Sequence, residues 1–197
     1  MYYILFFIFY LSGTNILELF HPNRKIAVNN IQYLHAIIAS ILGLLNQVYI
    51  FKYNSMGFFL FDLYDLCKNK KLNFANSLYI YHHIVIVYYM SLDPNKYNWL
   101  GVLTTGELSN LPTYYVYDEI QTKKNYDKLN IVYDNKNLMK WKRIQLIVYG
   151  IMRIPVATYL TYNEVKEYDK FINIIPVLPL YFLGMVWWYY MIKLFNK

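Results

Sequence analysis

Long apolar stretches separated by short basic loops recur along the whole of this chain, and they fix the solvent in which it can fold. A helix needs about 20 mostly apolar residues to cross the hydrocarbon core of a bilayer. Seven stretches approach that length: 2–20, 27–51, 55–67, 74–92, 97–121, 143–162 and 171–194. Lipid leaves no backbone N–H or C=O a water partner, so such stretches fold as helices. Composition agrees, with 57% hydrophobic and only 16% charged residues, against about 25% charged in soluble domains. The expected class is an all-α membrane protein with about seven transmembrane helices. The third stretch is short and polar at one end. Either it begins at Val48 with a break near Asn54-Ser55, or it stays buried among its neighbours. The first stretch has a second reading, a signal-peptide core over Tyr2 to Leu11, but no basic segment precedes it.

Other classes are excluded by what the sequence lacks. Cys67 is the single cysteine, so no intrachain disulfide framework or cysteine-rich metal site can form. The net charge of +7 lies in loops between apolar runs, which suits a membrane surface better than a nucleic acid. No zinc-finger spacing, phosphate-binding glycine loop or aromatic RNA-binding motif occurs. Four histidines are too few for a histidine-rich di-iron site. No metal or tightly held cofactor is expected.

The basic residues give the orientation. With seven spans, 14 of the 19 Lys and Arg fall on one side: Arg24 and Lys25, Lys68 to Lys71, the Lys123–Arg143 group, and Lys193 with Lys197. Four fall on the other: Lys52, Lys96, Lys166 and Lys170. Basic residues concentrate on the cytoplasmic side, which places the carboxyl terminus in the cytoplasm. The loop 122–142 has two readings, a contact for anionic headgroups or a topological signal alone.

Ionisable residues at membrane depth are costly, about 2.5–3.5 kcal/mol each on insertion scales, and persist where they face a cavity or a partner. His35 lies in span two, Asp62 and Asp65 on one face of span three, His82-His83 in span four, Glu107, Ser109 and Asn110 in span five, and Arg153 in span six. In span two, His35, Ala39, Leu42, Asn46 and Tyr49 recur at helical spacing and form a stripe expected to face the bundle. Structural readings stand beside the functional ones. Glu107 and Arg153 can be an ion pair, and His35 a packed histidine. Asp65 can sit at the interface near Lys68. Trp187 to Tyr190 read as interface anchors. Adjacent histidines point about 100° apart, so His82 and His83 cannot both face one centre. Pro112 and Pro155 interrupt backbone bonding beside the polar cluster.

Five marks in order carry a resemblance: Leu34-His35-Ala36, Gly57 to Leu63 (GFFLFDL), Tyr81-His82-His83, Gly106 to Asn110 (GELSN) and Arg153-Ile154-Pro155. Their sequence resembles the TLC-domain family, which includes ceramide synthases and a branch of small proteins linked to membrane lipid composition. The resemblance covers roughly residues 26–195. It implies a TLC domain over 26–197, preceded by an amino-terminal membrane helix and basic loop over 1–25. It also implies six helices forming a barrel around a polar, lipid-accessible cavity, and an endoplasmic-reticulum or related endomembrane address. Where ceramide synthases carry an Asp-rich motif after the histidine pair, this chain has Glu107-Leu108-Ser109-Asn110, closer to the small lipid-composition branch.

Two functions follow as expectations. The first is a lipid-homeostasis protein that binds, senses or processes a sphingolipid or phospholipid. The second is a lipid acyltransferase with acyl-CoA as co-substrate. There His82 or His83 acts as base or acyl acceptor, Asp62 or Glu107 orients it, and His35, Asp65, Asn110 and Arg153 contact the lipid. The expected partners are membrane lipids and no nucleic acid; a proton-coupled transporter is a minor third reading. Oligomeric state is open.

Overall fold

A computed structural model describes residues 2–21, 23–69, 73–166 and 168–195. Lys70, Lys71 and Lys197 of the charge distribution lie outside the described residues. Among those described the chain is helical throughout: α1 (Tyr2–Phe20), α2 (Arg24–Leu44), α3 (Val48–Asn69), α4 (Phe74–Ser91), α5 (Trp99–Lys128), α6 (Lys136–Ile151), α7 (Ala157–Val165), α8 (Tyr168–Ile174) and α9 (Leu178–Phe195). A π-helical turn, Met152–Val156, joins α6 to α7, and a 3-10 turn, Ile175–Val177, joins α8 to α9.

Asparagine sets many of the boundaries. Asn23, Asn73 and Asn98 cap α2, α4 and α5, each side chain accepting a backbone N–H of the first turn. Asn46 and Asn130 close α2 and α5 with φ of 55°, the left-handed conformation that asparagine tolerates better than most residues. At the first of these, Gln47 N reaches Leu42 O at 2.8 Å and Asn46 N reaches Gly43 O at 3.0 Å, a Schellman closure. The expected second span is corrected here. It ends at Leu44 rather than running to residue 51, because Asn46 turns the chain. The expected break near Asn54-Ser55 does not occur, since α3 is continuous from Val48. Asn46 and Tyr49 therefore leave the stripe of span two; Tyr49 is 68% exposed on α3.

Contacts between helices run in a closed circuit, α2 to α3, α3 to α4, α4 to the Ile175–Val177 turn that starts α9, α9 to α6, α6 to α5, and α5 back to α2. Helix α1 lies outside this circuit, against α2 and α3. Two glycines permit the closest approaches. A Cβ on Gly57 would sit 2.6 Å from Tyr3 O of α1, and a Cβ on Gly43 would sit 1.9 Å from Thr104 Oγ1 of α5. The core is largely aromatic, with Tyr10, Phe51, Phe61, Tyr89 and Trp99 almost fully buried.

The outer surface is apolar instead of charged. Leu5, Ile16, Leu19 and Phe20 of α1, Ile147 of α6 and Phe182 of α9 are each at least half exposed. Four helical stretches are long and apolar enough to cross a membrane: Tyr2–Phe20, Arg24–Leu44, Lys136–Asn163 and Phe171–Lys193. Helices α3, α4 and α5 are long but more polar, and Asn54, Asp62, His83, Thr104 and Ser109 among their polar residues are buried. The chain is thus an all-helical protein whose apolar exterior and buried polar groups suit a lipid environment.

Candidate functional site

Two adjoining cavities occupy the interior. The first holds about 910 Å³ of open space and is walled largely by apolar residues, among them Ile86, Leu103, Ile174, Leu178 and Leu180. The second holds about 1150 Å³ and includes Asp62, His83, Tyr114, Tyr149 and Trp187 in its wall. His82, Glu107, Asn110 and Arg153 line both. These four form the junction of a two-lobed chamber. The first lobe is walled by the carboxyl half of α4 and the amino half of α5. The second lies toward the amino half of α4 and the carboxyl half of α9, where the basic loops are.

His82 and His83 diverge, as consecutive helical residues must. His83 turns toward α3, where Nε2 lies 2.9 Å from Asp62 Oδ2. Its Nδ1 donates to Tyr79 O at 2.7 Å. Asp62 Oδ1 accepts from Gln32 Nε2 at 3.1 Å. Both nitrogens of His83 face acceptors, so this ring and Asp62 share a proton between them. His82 makes no hydrogen bond among the described residues, and its ring lies 6.4 Å from that of Trp187.

A second histidine–carboxylate contact lies deeper. His35 is fully buried and stacks on Phe58 at 3.8 Å. Its Nδ1 receives Asn54 Nδ2 at 3.3 Å and lies 3.2 Å from Tyr10 Oη. The hydroxyl of Tyr10 donates to Asn54 Oδ1 at 2.5 Å. With Nδ1 accepting, the ring proton sits on Nε2, which points at Glu107 Oε1 at 3.6 Å. His35 lines neither cavity and stands behind Glu107.

Arg153 sits on the π-helical turn that contains Pro155. Proline has no N–H and its ring crowds the carbonyl four residues earlier, so a regular α-turn is disfavoured there. Arg153 Nε donates to Ser109 Oγ at 2.9 Å, and Nη2 has long contacts of 3.5 Å to Gly106 O and Asn110 Oδ1. No ion pair joins Arg153 to Glu107 among the described residues, which corrects the ion-pair reading. The two sit on facing walls with different partners.

Asp65 does not reach the chamber. Its Oδ1 accepts from Arg24 at 3.0 and 2.7 Å and from Asn69 at 2.8 Å, and Arg24 also pairs with Glu18. It ties the ends of α1, α2 and α3 together. One helical turn separates Asp62 from Asp65, enough to put one in the cavity wall and the other at the bundle end. The four residues expected to act together in catalysis divide likewise: Asp62 orients His83, Glu107 faces His35, and His82 stands free.

Some lining residues carry no strong signal in the sequence. Gln32 lies one turn before His35 on the inward face of α2, a position the stripe could have included. Trp187, expected as an interface anchor, instead stacks on Tyr79 at 5.6 Å in the second lobe. Trp188 packs inward too, donating to Leu146 O at 3.1 Å. Four consecutive helical residues span more than a full turn, so all four cannot face lipid; Tyr189 and Tyr190 are the exposed pair. Among the described residues no cluster of three or more His, Cys, Asp or Glu is placed to hold a metal. Comparisons with family models, curated proteins and solved structures give no match.

Proposed function

We propose that this chain is a multi-pass membrane protein of TLC-domain type, acting in lipid homeostasis by holding a sphingolipid or phospholipid, or a precursor of one, in its two-lobed chamber. The observation that carries the reading is the division of the chamber. An apolar lobe opens onto a junction of His82, Glu107, Asn110 and Arg153. Small-molecule sites are usually mostly apolar with a few convergent polar groups. An amphiphile matches this one, its tail among Ile86, Leu103 and Leu180 and its head at the junction. The circuit of helices with α1 outside supports the family resemblance, and the distribution of basic residues supports seven spans with a cytoplasmic carboxyl terminus. An endoplasmic-reticulum or related endomembrane location rests on the resemblance alone.

Lipids extracted from the protein purified in a mild detergent are to be measured by mass spectrometry. Enrichment of one class over the host membrane is expected. A retained profile identical to that of the membrane overturns the reading.

Acyl transfer from acyl-CoA is a second reading, favoured by the unbonded ring of His82. His82 would take the proton of an acceptor N–H or O–H as that atom attacks the thioester carbonyl. The C–S bond then breaks, and the proton passes to the leaving CoA thiolate. Incubation with acyl-CoA and a sphingoid base or lysolipid is expected to release CoA, with His82→Ala abolishing release. If neither His82→Ala nor His83→Ala changes any lipid product, the catalytic reading is wrong.

A further inference from the structure

Arg153 lines the chamber with no ion-pair partner among the described residues. Asp62 is held by His83 at 2.9 Å and Gln32 at 3.1 Å. Glu107 faces His35 Nε2 at 3.6 Å, beyond hydrogen-bond reach. Asp65 has Arg24. Arg153 differs. Every acceptor it reaches is neutral: a serine hydroxyl, a backbone carbonyl and an asparagine oxygen. Two of these contacts, at 3.5 Å, are at the limit of hydrogen bonding. Its Nη1 has no acceptor, and no carboxylate lies within ion-pair distance, among the described residues. A guanidinium cannot shed its proton to escape a low-dielectric site. Arg153 is half-buried, and a cation partly withdrawn from water without a counter-ion carries a desolvation cost.

A second orphan lies beside it. The guanidinium carbon of Arg153 is 5.2 Å from the centre of the Tyr149 ring. Tyr149 is 2% exposed, and its hydroxyl is buried with no hydrogen-bond partner. Both side chains line the second lobe. Arg153 thus has a free N–H and Tyr149 a hydroxyl without an acceptor, on neighbouring side chains of one lobe.

We propose that the chamber selects an amphiphile with an anionic head, a carboxylate or a phosphate monoester, which Arg153 and Tyr149 bind while its chain occupies the apolar lobe. This rests on the lipid-binding reading and narrows it to one ligand class. A sphingoid base would bring a second cation to Arg153. A choline headgroup carries its own ammonium beside its phosphate and brings Arg153 no net negative charge.

The test uses the full-length protein in dodecyl maltoside. Dissociation constants are measured for oleate and oleoyl-lysophosphatidate, for neutral monoolein, zwitterionic lysophosphatidylcholine and cationic sphingosine, and for inorganic phosphate. At least one anionic lipid is expected to bind about tenfold or more tighter than monoolein, the low end of what charge-assisted hydrogen bonds contribute. Which anion leads separates carboxylate from phosphate. Inorganic phosphate is expected to compete only weakly, and competition equal to that of lysophosphatidate overturns the role of the chain. Arg153→Gln should collapse the preference for anions over monoolein, and Arg153→Lys should restore part of it. Tyr149→Phe, which keeps the ring, should reduce that preference by itself and carries the test should Arg153→Gln fail to fold. Sphingosine or lysophosphatidylcholine binding as tightly as the anions, or an anion preference that survives Arg153→Gln, overturns the proposal. Monoolein binding without an anion preference would spare the lipid-binding reading and sink this one; no binding by any probe sinks both.

Discussion

His83 bridges two acceptors, the Tyr79 carbonyl at 2.7 Å and Asp62 at 2.9 Å. The ring therefore serves to join α4 to α3. Removing either member strands the other in a buried site, at about 3 kcal/mol or more. The expected outcome for Asp62→Ala and His83→Ala is a large loss of unfolding free energy for each. The double variant should lose less than the sum, with a coupling of at least about 1 kcal/mol. Denaturation in mixed micelles checks this; strict additivity would mean the pair does not exist. The residue types of this cluster are legible in the sequence, because ionisable groups stand out in apolar runs. Their pairing is not. Asp62 and Asp65 look equivalent on one face, and only the neighbours supplied by α1, α2 and α4 send one to His83 and the other to Arg24.

The longest apolar runs of the bundle are recognisable in the sequence, whereas the ends of its helices are not. Asn46 reads as one more polar residue of a stripe until its φ of 55° is known. Capping asparagines mark the starts of α2, α4 and α5, but asparagine is abundant throughout the chain, so the signal is diluted. Helix contacts give two predictions at this scale. Gly57 lets α1 approach α3 to within backbone contact. Gly57→Val should lower the thermal midpoint, by an overpacking cost of about 1–3 kcal/mol, and raise proteolysis of the α1–α2 link. An unchanged midpoint would mean that α1 docks elsewhere. Pro155 sits in the π turn that presents Arg153 to Ser109. Pro155→Ala restores the missing N–H and allows the turn to tighten into α-helix. Since one inserted residue shifts register by about 100°, the expected result is weakened lipid binding with little change in helix content by circular dichroism. Full binding would show that Arg153 is placed by other contacts.

Over the molecule as a whole, polarity is turned inside out, with exposed leucine and phenylalanine outside and carboxylates within. This is the part the sequence makes plainest, because the shortage of charge and the length of the apolar runs follow directly from the solvent. A reporter fused at Lys128, in the α5–α6 hairpin, is expected on the cytoplasmic side; a lumenal signal would reverse the proposed orientation. Helices α3, α4 and α5 fall outside the four most apolar stretches. The groups that make them polar meet partners across helices: Asp62 bonds Gln32 and His83, and Glu107 faces His35. During synthesis α3 emerges before α4, so Asp62 leaves the ribosome ahead of its histidine. A nascent chain ending near Asn69 would hold Asp62 without His83, and α3 is expected to need α4 beside it before it is stable in lipid. The consequence expected for biogenesis is that α3 and α4 enter the membrane as a pair, not one at a time.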